Sequence, residues 1–143
     1  MESNKTILSV IPARGGSKGI PNKNIIPIAG KPLLAWTIEQ SLNAKLIDGT
    51  YVSTNDEKIA KVAKEYGAKI IWRPEEISGD TSTSESALVH SLDYLQKEER
   101  IKPDILVFLQ CTSPLRINDD IDNAIRFFLK NSSDSLISVT KID

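Results

Sequence analysis

Apolar residues along this chain alternate between two rhythms. Ile7 to Pro12 (Ile-Leu-Ser-Val-Ile-Pro) is a short, β-branched run that ends in a glycine-rich turn, the pattern of a buried strand. Pro32 suits a helix start, and Leu33, Leu34, Trp36, Thr37, Ile38 and Leu42 follow at helical spacing, predicting a helix over Pro32 to Asn43. Gly49 to Ser53 reads as a second strand. Beyond it, Asp56 is placed to cap a helix whose Ile59, Val62, Ala63 and Tyr66 share one face and which Gly67 ends. Lys69 to Trp72 gives a third strand, Ser84 to Glu99 a long amphipathic helix, Ile105 to Gln110 a fourth strand, Ile121 to Lys130 a helix and Leu136 to Thr140 a fifth strand.

Strands separated by helices of this length need crossover connections, so the pattern predicts an α/β chain with a mostly parallel sheet covered on both faces. Ligands then belong at the carboxyl ends of the strands. No repeat, low-complexity tract or linker divides the chain, so residues 1–143 are read as one domain.

Composition narrows the functional classes. With 143 residues, 40% of them hydrophobic, there is enough apolar material for one sizeable core. The formal net charge of -1 comes from interspersed cations and carboxylates, which argues against nucleic acid or a membrane surface as partner. The single cysteine, Cys111, has no internal disulfide partner and no metal-ligand spacing, which fits a reducing compartment. A polar N-terminus without a signal-peptide pattern, and no run long enough to span a bilayer, lead us to expect a cytoplasmic protein.

The chemistry concentrates after the first strand. Arg14-Gly15-Gly16-Ser17-Lys18-Gly19, followed by Lys23-Asn24, combines glycines, cations, a hydroxyl and an amide. Glycines let backbone N–H groups approach anionic oxygens, while Arg and Lys neutralise charge and Ser17 donates a hydrogen bond, so the loop suits a polyphosphate. It is not a Walker A loop, because Ser17 precedes Lys18 and no hydroxyl follows the lysine. Nor is it a dinucleotide fingerprint: Gly-x-Gly-x-x-Gly is absent, and Pro21 and Pro27 interrupt any immediate entry into a helix.

Ile11-Pro12-Ala13-Arg14-Gly15-Gly16-Ser17-Lys18-Gly19 with Lys23-Asn24 resembles the signature of the acylneuraminate cytidylyltransferases. Gly30-Lys31-Pro32-Leu33-Leu34, Val52-Ser53-Thr54, Arg73-Pro74, Asp80-Thr81 with Ser84, and Leu109-Gln110-Cys111-Thr112-Ser113-Pro114-Leu115-Arg116 resemble further family segments, in order. The resemblance implies a three-layer, Rossmann-like nucleotide-diphospho-sugar transferase fold. It also implies a reaction in which the anomeric hydroxyl of a nonulosonic acid attacks the α-phosphate of CTP, pyrophosphate leaving with the help of Mg²⁺.

Positioning and charge neutralisation dominate such a step. By the resemblance, Arg14, Lys18 and Lys23 carry catalysis and, with Gly16 and Ser17, grip the triphosphate. Asn24 orients the nucleotide, Arg73 donates to the cytosine ring, backbone near Thr81 to Ser84 accepts from its amine, and Gln110 faces the sugar. Ser82 and Ser84 are equally placed to cap the long helix. His90 lies inside that helix and is not expected to be catalytic, and Trp36 and Trp72 are read as packing residues.

Two departures stand out. Asn55 occupies a position where many relatives carry Asp, and Asp56 either compensates or, the favoured reading, caps the following helix. The family's dimerisation segment, sugar-recognition residues and the Asp-x-Asp pair that holds Mg²⁺ have no counterpart, so the chain is expected to be an apparently truncated, N-terminal CTP-binding portion. A homodimer is the family expectation. A legionaminate, pseudaminate or Kdo acceptor, or a catalytically silent nucleotide-binding module, stays open as an alternative.

Overall fold

A computed structural model describes residues 5–16, 22–79, 83–117, 119–132 and 134–137. The first strand, β1 (Ile7–Pro12), lies inside a parallel sheet with β4 (Gly49–Thr54), β5 (Lys69–Trp72) and β6 (Ile105–Phe108), in the order β5-β4-β1-β6. The chain therefore winds outward from β1 through β4 to β5 and then returns to the other side of β1. That reversal opens a crevice at the carboxyl ends of β1 and β6, where open α/β sheets bind ligands.

The sheet is covered on both faces because β1 is apolar on both. Ile7 and Ile11 join Leu34 and Ile38 of α1 (Leu33–Asn43), Ile59 and Ala63 of α2 (Glu57–Glu65) and Ile121 and Ile125 of α4 (Asp120–Lys130). On the opposite face Leu8 and Val10 pack with Tyr51, Ile71 and Leu95, the last from α3 (Ser84–Glu98). Ser9 points toward α1, and its buried hydroxyl is satisfied by Ser41, which in turn bonds Thr50. Buried Asp122 holds α4 in place by accepting from the backbone N–H groups of Lys45 and Leu46, both at 2.9 Å.

Most expected elements are found within a residue or two at their ends. Asp56 is the cap of α2, accepting from the Lys58 and Ile59 N–H groups at 2.8 and 3.1 Å, and Gly67 has a φ of 98° just past the helix end. Two expectations need correction. The cap of α3 is Thr83, not Ser84, with Ser86 N–H donating to its hydroxyl at 3.1 Å; Ser82 lies outside the described residues. Between β1 and α1 a small antiparallel ribbon, β2 (Pro27–Ile28) and β3 (Lys31–Pro32), appears where only a loop was read, so α1 starts at Leu33. Pro27, Gly30 and Pro32 within six residues hide such a ribbon from a pattern of apolar spacing; Trp36 secures it by donating from Nε1 to Ile28 O at 2.8 Å. Of the expected fifth strand, Leu136 and Ile137 are described and are not in a strand, and residues 138–140 lie outside the described residues.

Candidate functional site

The crevice is a cleft lined by Pro12 at the end of β1 and Arg14 just after it, Lys23 and Asn24 in a short 3-10 turn, Arg73 after β5, Thr83, Ser84 and Ala87 at the amino end of α3, and Gln110, Cys111 and Thr112 after β6. Arg14, Lys23, Asn24, Arg73, Ser84 and Gln110 thus come from distant parts of the chain to one place. Gly16 does not line the cleft; its φ of 67° and the open space around its Cα make it the turning point of the loop. Ser17, Lys18 and Ser82 lie outside the described residues.

The loop is held from below. The Gly15 N–H donates to Asn55 Oδ1 at 2.8 Å, and a Cβ on Gly15 would stand 2.7 Å from Asp56 Oδ2, so no larger residue fits. Asn55 therefore serves as an acceptor under the loop, a task its amide oxygen performs without charge. Asn24 donates from Nδ2 to Arg14 O at 3.1 Å, tying the 3-10 turn to the same loop.

Arg73 is the electrostatic centre of the cleft. It is only 7% exposed, yet among the described residues no carboxylate pairs with it. Nε donates to Ser53 Oγ at 3.2 Å, Nη2 to Ser53 O at 3.1 Å and Nη1 to Ile77 O at 3.5 Å. A guanidinium has five N–H donors, so one remains on each terminal nitrogen. Burial, and then the neighbouring Arg14 charge, lowers its pKa, which marks two cations held close. The amino end of α3 adds its own partial positive charge at Thr83 and Ser84. Such a site favours an anion or an acceptor-rich ring.

The opposite wall is neutral and braced. Arg116 donates from Nη2 to Gln110 O at 2.9 Å and from Nη1 to Gln40 Oε1 at 3.1 Å and Thr37 Oγ1 at 3.4 Å. Gln40 answers from Nε2 to Pro114 O at 2.7 Å and Arg116 O at 3.4 Å. The Gln110 side chain is exposed at the cleft instead of being consumed by backbone. In the sequence Arg116 stands only as part of a motif; nothing in spacing alone shows that Thr37 and Gln40 of α1 support it.

Among the described residues no carboxylate lines the cleft, and no three His, Cys, Asp or Glu side chains converge on a common point. Asp56, packed against Gly15, spends Oδ1 on the α2 cap. The described donor set does not fit Mg²⁺. His90 does not line the cleft; its Nδ1 is buried without a hydrogen-bond partner.

A family model described as cytidylyltransferase matches residues 8–143. The chain belongs to the cytidylyltransferase family. It is 39% identical over 137 residues to a pseudaminic acid cytidylyltransferase of Campylobacter jejuni, covering 95% of this chain and 59% of that one. It is 38% identical to an N-acylneuraminate cytidylyltransferase of Oncorhynchus mykiss, covering 94% of this chain and 30% of that one. Its length is thus a little over half, or about a third, of these relatives. Among solved structures, a CMP:2-keto-3-deoxy-manno-octonic acid synthetase complexed with CTP superposes with a TM-score of 0.74 at 23% identity, covering 90% of this chain and 49% of that one, which supports the fold. No helix among the described residues is long and apolar enough to cross a membrane.

Proposed function

We propose that this chain provides the CTP platform of an enzyme that transfers CMP from CTP to the anomeric hydroxyl of a nonulosonic acid, releasing pyrophosphate. The observation that carries the reading is the buried, unneutralised Arg73 beside Arg14 in a cleft at the strand ends. Cytosine offers acceptors at O2 and N3, which match the two unspent N–H groups of Arg73. Uracil carries a hydrogen on N3 and would lose one of those bonds. Arg14 and Lys23 then neutralise phosphate oxygens, and the amino end of α3 faces the same anion. Catalysis in this reading is electrostatic: the cations hold the triphosphate and stabilise charge that gathers on the leaving pyrophosphate. Lys18 and Ser17 belong to the same loop by sequence.

Gln110 stands across the cleft from these cations and faces the acceptor in this proposal. N-acylneuraminate is the acceptor we favour from the sequence motifs. The two relatives named above are about equally similar and carry names for different acids, so pseudaminate and legionaminate are tested beside it.

Isothermal titration with CTP, UTP, ATP and GTP tests the platform, and pyrophosphate release with Mg²⁺ and a panel of nonulosonic acids tests the transfer. CTP is expected to bind in preference to the other three. Equal binding of all four, or CTP affinity unchanged by both Arg14→Ala and Lys23→Ala, would remove the proposal. CTP-selective binding with no release against any acid would reduce it to a nucleotide-binding module.

A further inference from the structure

The floor of the cleft is crossed by a hydrogen-bond path that joins its two walls. Cys111, 3% exposed on the β6 side, has its Sγ 2.8 Å from Oδ1 of Asn24, 7% exposed on the other side. The Nδ2 of Asn24 lies 3.1 Å from Arg14 O. Chemistry fixes the direction of both bonds. A backbone carbonyl only accepts, so the amide nitrogen must face Arg14 O. That turns Oδ1, also only an acceptor, toward the sulfur, and the thiol has to donate. The proton is present at neutral pH, because burial pushes the Cys111 thiol up to about 11 although a backbone hydrogen bond, Lys23 and Arg116 pull it down. Pro12 O, at 3.9 Å from Sγ, is a longer and weaker second acceptor.

We propose that Cys111 is a positioning residue whose thiol proton locks the Asn24 amide against the Arg14 carbonyl, coupling the Gln110 wall of the cleft to its cationic wall. The proposal rests on the CTP-site reading and deepens it. Asn24 then serves the nucleotide chiefly by placing Arg14, since its oxygen and one amide hydrogen are already spent. The far end of the path is rigid: Cys111 follows Gln110, whose carbonyl is held by Arg116. Alanine at 111 leaves Asn24 Oδ1 buried without a partner, and serine restores a donor in nearly the same place.

Wild type, Cys111→Ala, Cys111→Ser and Asn24→Ala are compared by two measurements. The first is the Asn24 side-chain amide signal in ¹H–¹⁵N spectra of the ligand-free chain; the second is CTP affinity by titration. Cys111→Ala is expected to shift and broaden the Asn24 signal and to weaken CTP about fivefold, the usual worth of one buried hydrogen bond. Cys111→Ser restores both, and Cys111→Ala in an Asn24→Ala background costs no further affinity. Thermal melting confirms that each variant folds. An Asn24 signal indifferent to Cys111→Ala, a serine variant as weak as the alanine one, or additive losses in the double variant would overturn the lock. Should wild type itself fail to bind CTP, the functional reading falls, while the spectra still decide whether the lock exists.

Discussion

The two walls of the cleft treat their arginines in opposite ways. Arg116 spends its Nη donors on Gln110 O, Gln40 and Thr37, and so becomes part of the scaffold. Arg73 is as firmly anchored, to Ser53 and Ile77, and each arginine keeps two N–H groups unspent, but Arg73 lines the cleft and Arg116 does not. Both pKa values are lowered by burial, yet the Asp120 charge acts in the opposite direction on Arg116 whereas Arg14 adds to the burden on Arg73. Neither burial nor the number of unspent donors therefore distinguishes a ligand-binding arginine from a structural one; a place on the cleft and the sign of the neighbouring charge do.

The comparison is broken most sharply at Arg73. Arg73→Met is expected to lower CTP affinity by about 10- to 100-fold, the worth of one or two hydrogen bonds to a charged donor, and to reduce discrimination against UTP. Arg73→Lys recovers little, because a single ammonium cannot hold Ser53 and read a ring at once. Titration with both nucleotides checks this, and unaltered CTP-over-UTP preference in Arg73→Met would remove the base-reading role. At Arg116 the expected loss falls on the fold instead. Arg116→Met removes the donor to Gln40 Oε1 and one of two donors to the Gln110 carbonyl, which keeps the Ser113 N–H at 3.2 Å, and is expected to cost roughly 2 kcal/mol of stability. Denaturant unfolding measures it, with CTP-over-UTP preference unchanged; a shifted preference would place Arg116 with the binding groups.

Much of this contrast was hidden in the sequence, for a physical reason. Periodicity speaks about which side of an element is apolar, so the strands, the four helices and the Asp56 cap were legible from Ile7, Leu33, Ile59 and their neighbours. Arg14, Lys23, Asn24, Arg73, Ser84 and Gln110 were legible as candidates through motif order. What spacing does not carry is who bonds whom across the fold: Thr37 and Gln40 reach Arg116 from 79 and 76 residues away, and Cys111 reaches Asn24 across 87. The β2 and β3 ribbon escaped because two-residue strands have no period.

The loop side of the cleft can be weakened without touching a cation. Asp56 caps α2 and packs against Gly15, so Asp56→Ala removes the oxygen that accepts both cap bonds and the wall behind the loop. A cost of about 1 kcal/mol in stability is expected, with a smaller loss of CTP affinity, read from thermal melts and titration. Asp56→Asn keeps a capping oxygen and should recover most of the stability. Equal losses for alanine and asparagine would mean that the carboxylate charge, and not the cap, supports the loop.

The smallest effect concerns how far the Arg73 charge reaches into α3. Burial, and then the Arg73 charge, holds the His90 imidazole below its ordinary value, while Asp93 pulls the other way. The folded chain thus takes up this proton less readily than the unfolded one. His90 contributes stability that is full above about pH 6.5 and is lost as pH falls toward the lower, folded value. The melting temperature should therefore decline as pH falls through that window, and His90→Gln should flatten the decline. Saturating CTP sharpens the comparison between the walls: a ligand whose acceptors face Arg73 offsets its charge, lets His90 protonate more easily in the folded state, and flattens the same slope in wild type. A slope that CTP leaves unchanged, with His90→Gln still flattening it, would mean that the bound nucleotide lies away from Arg73.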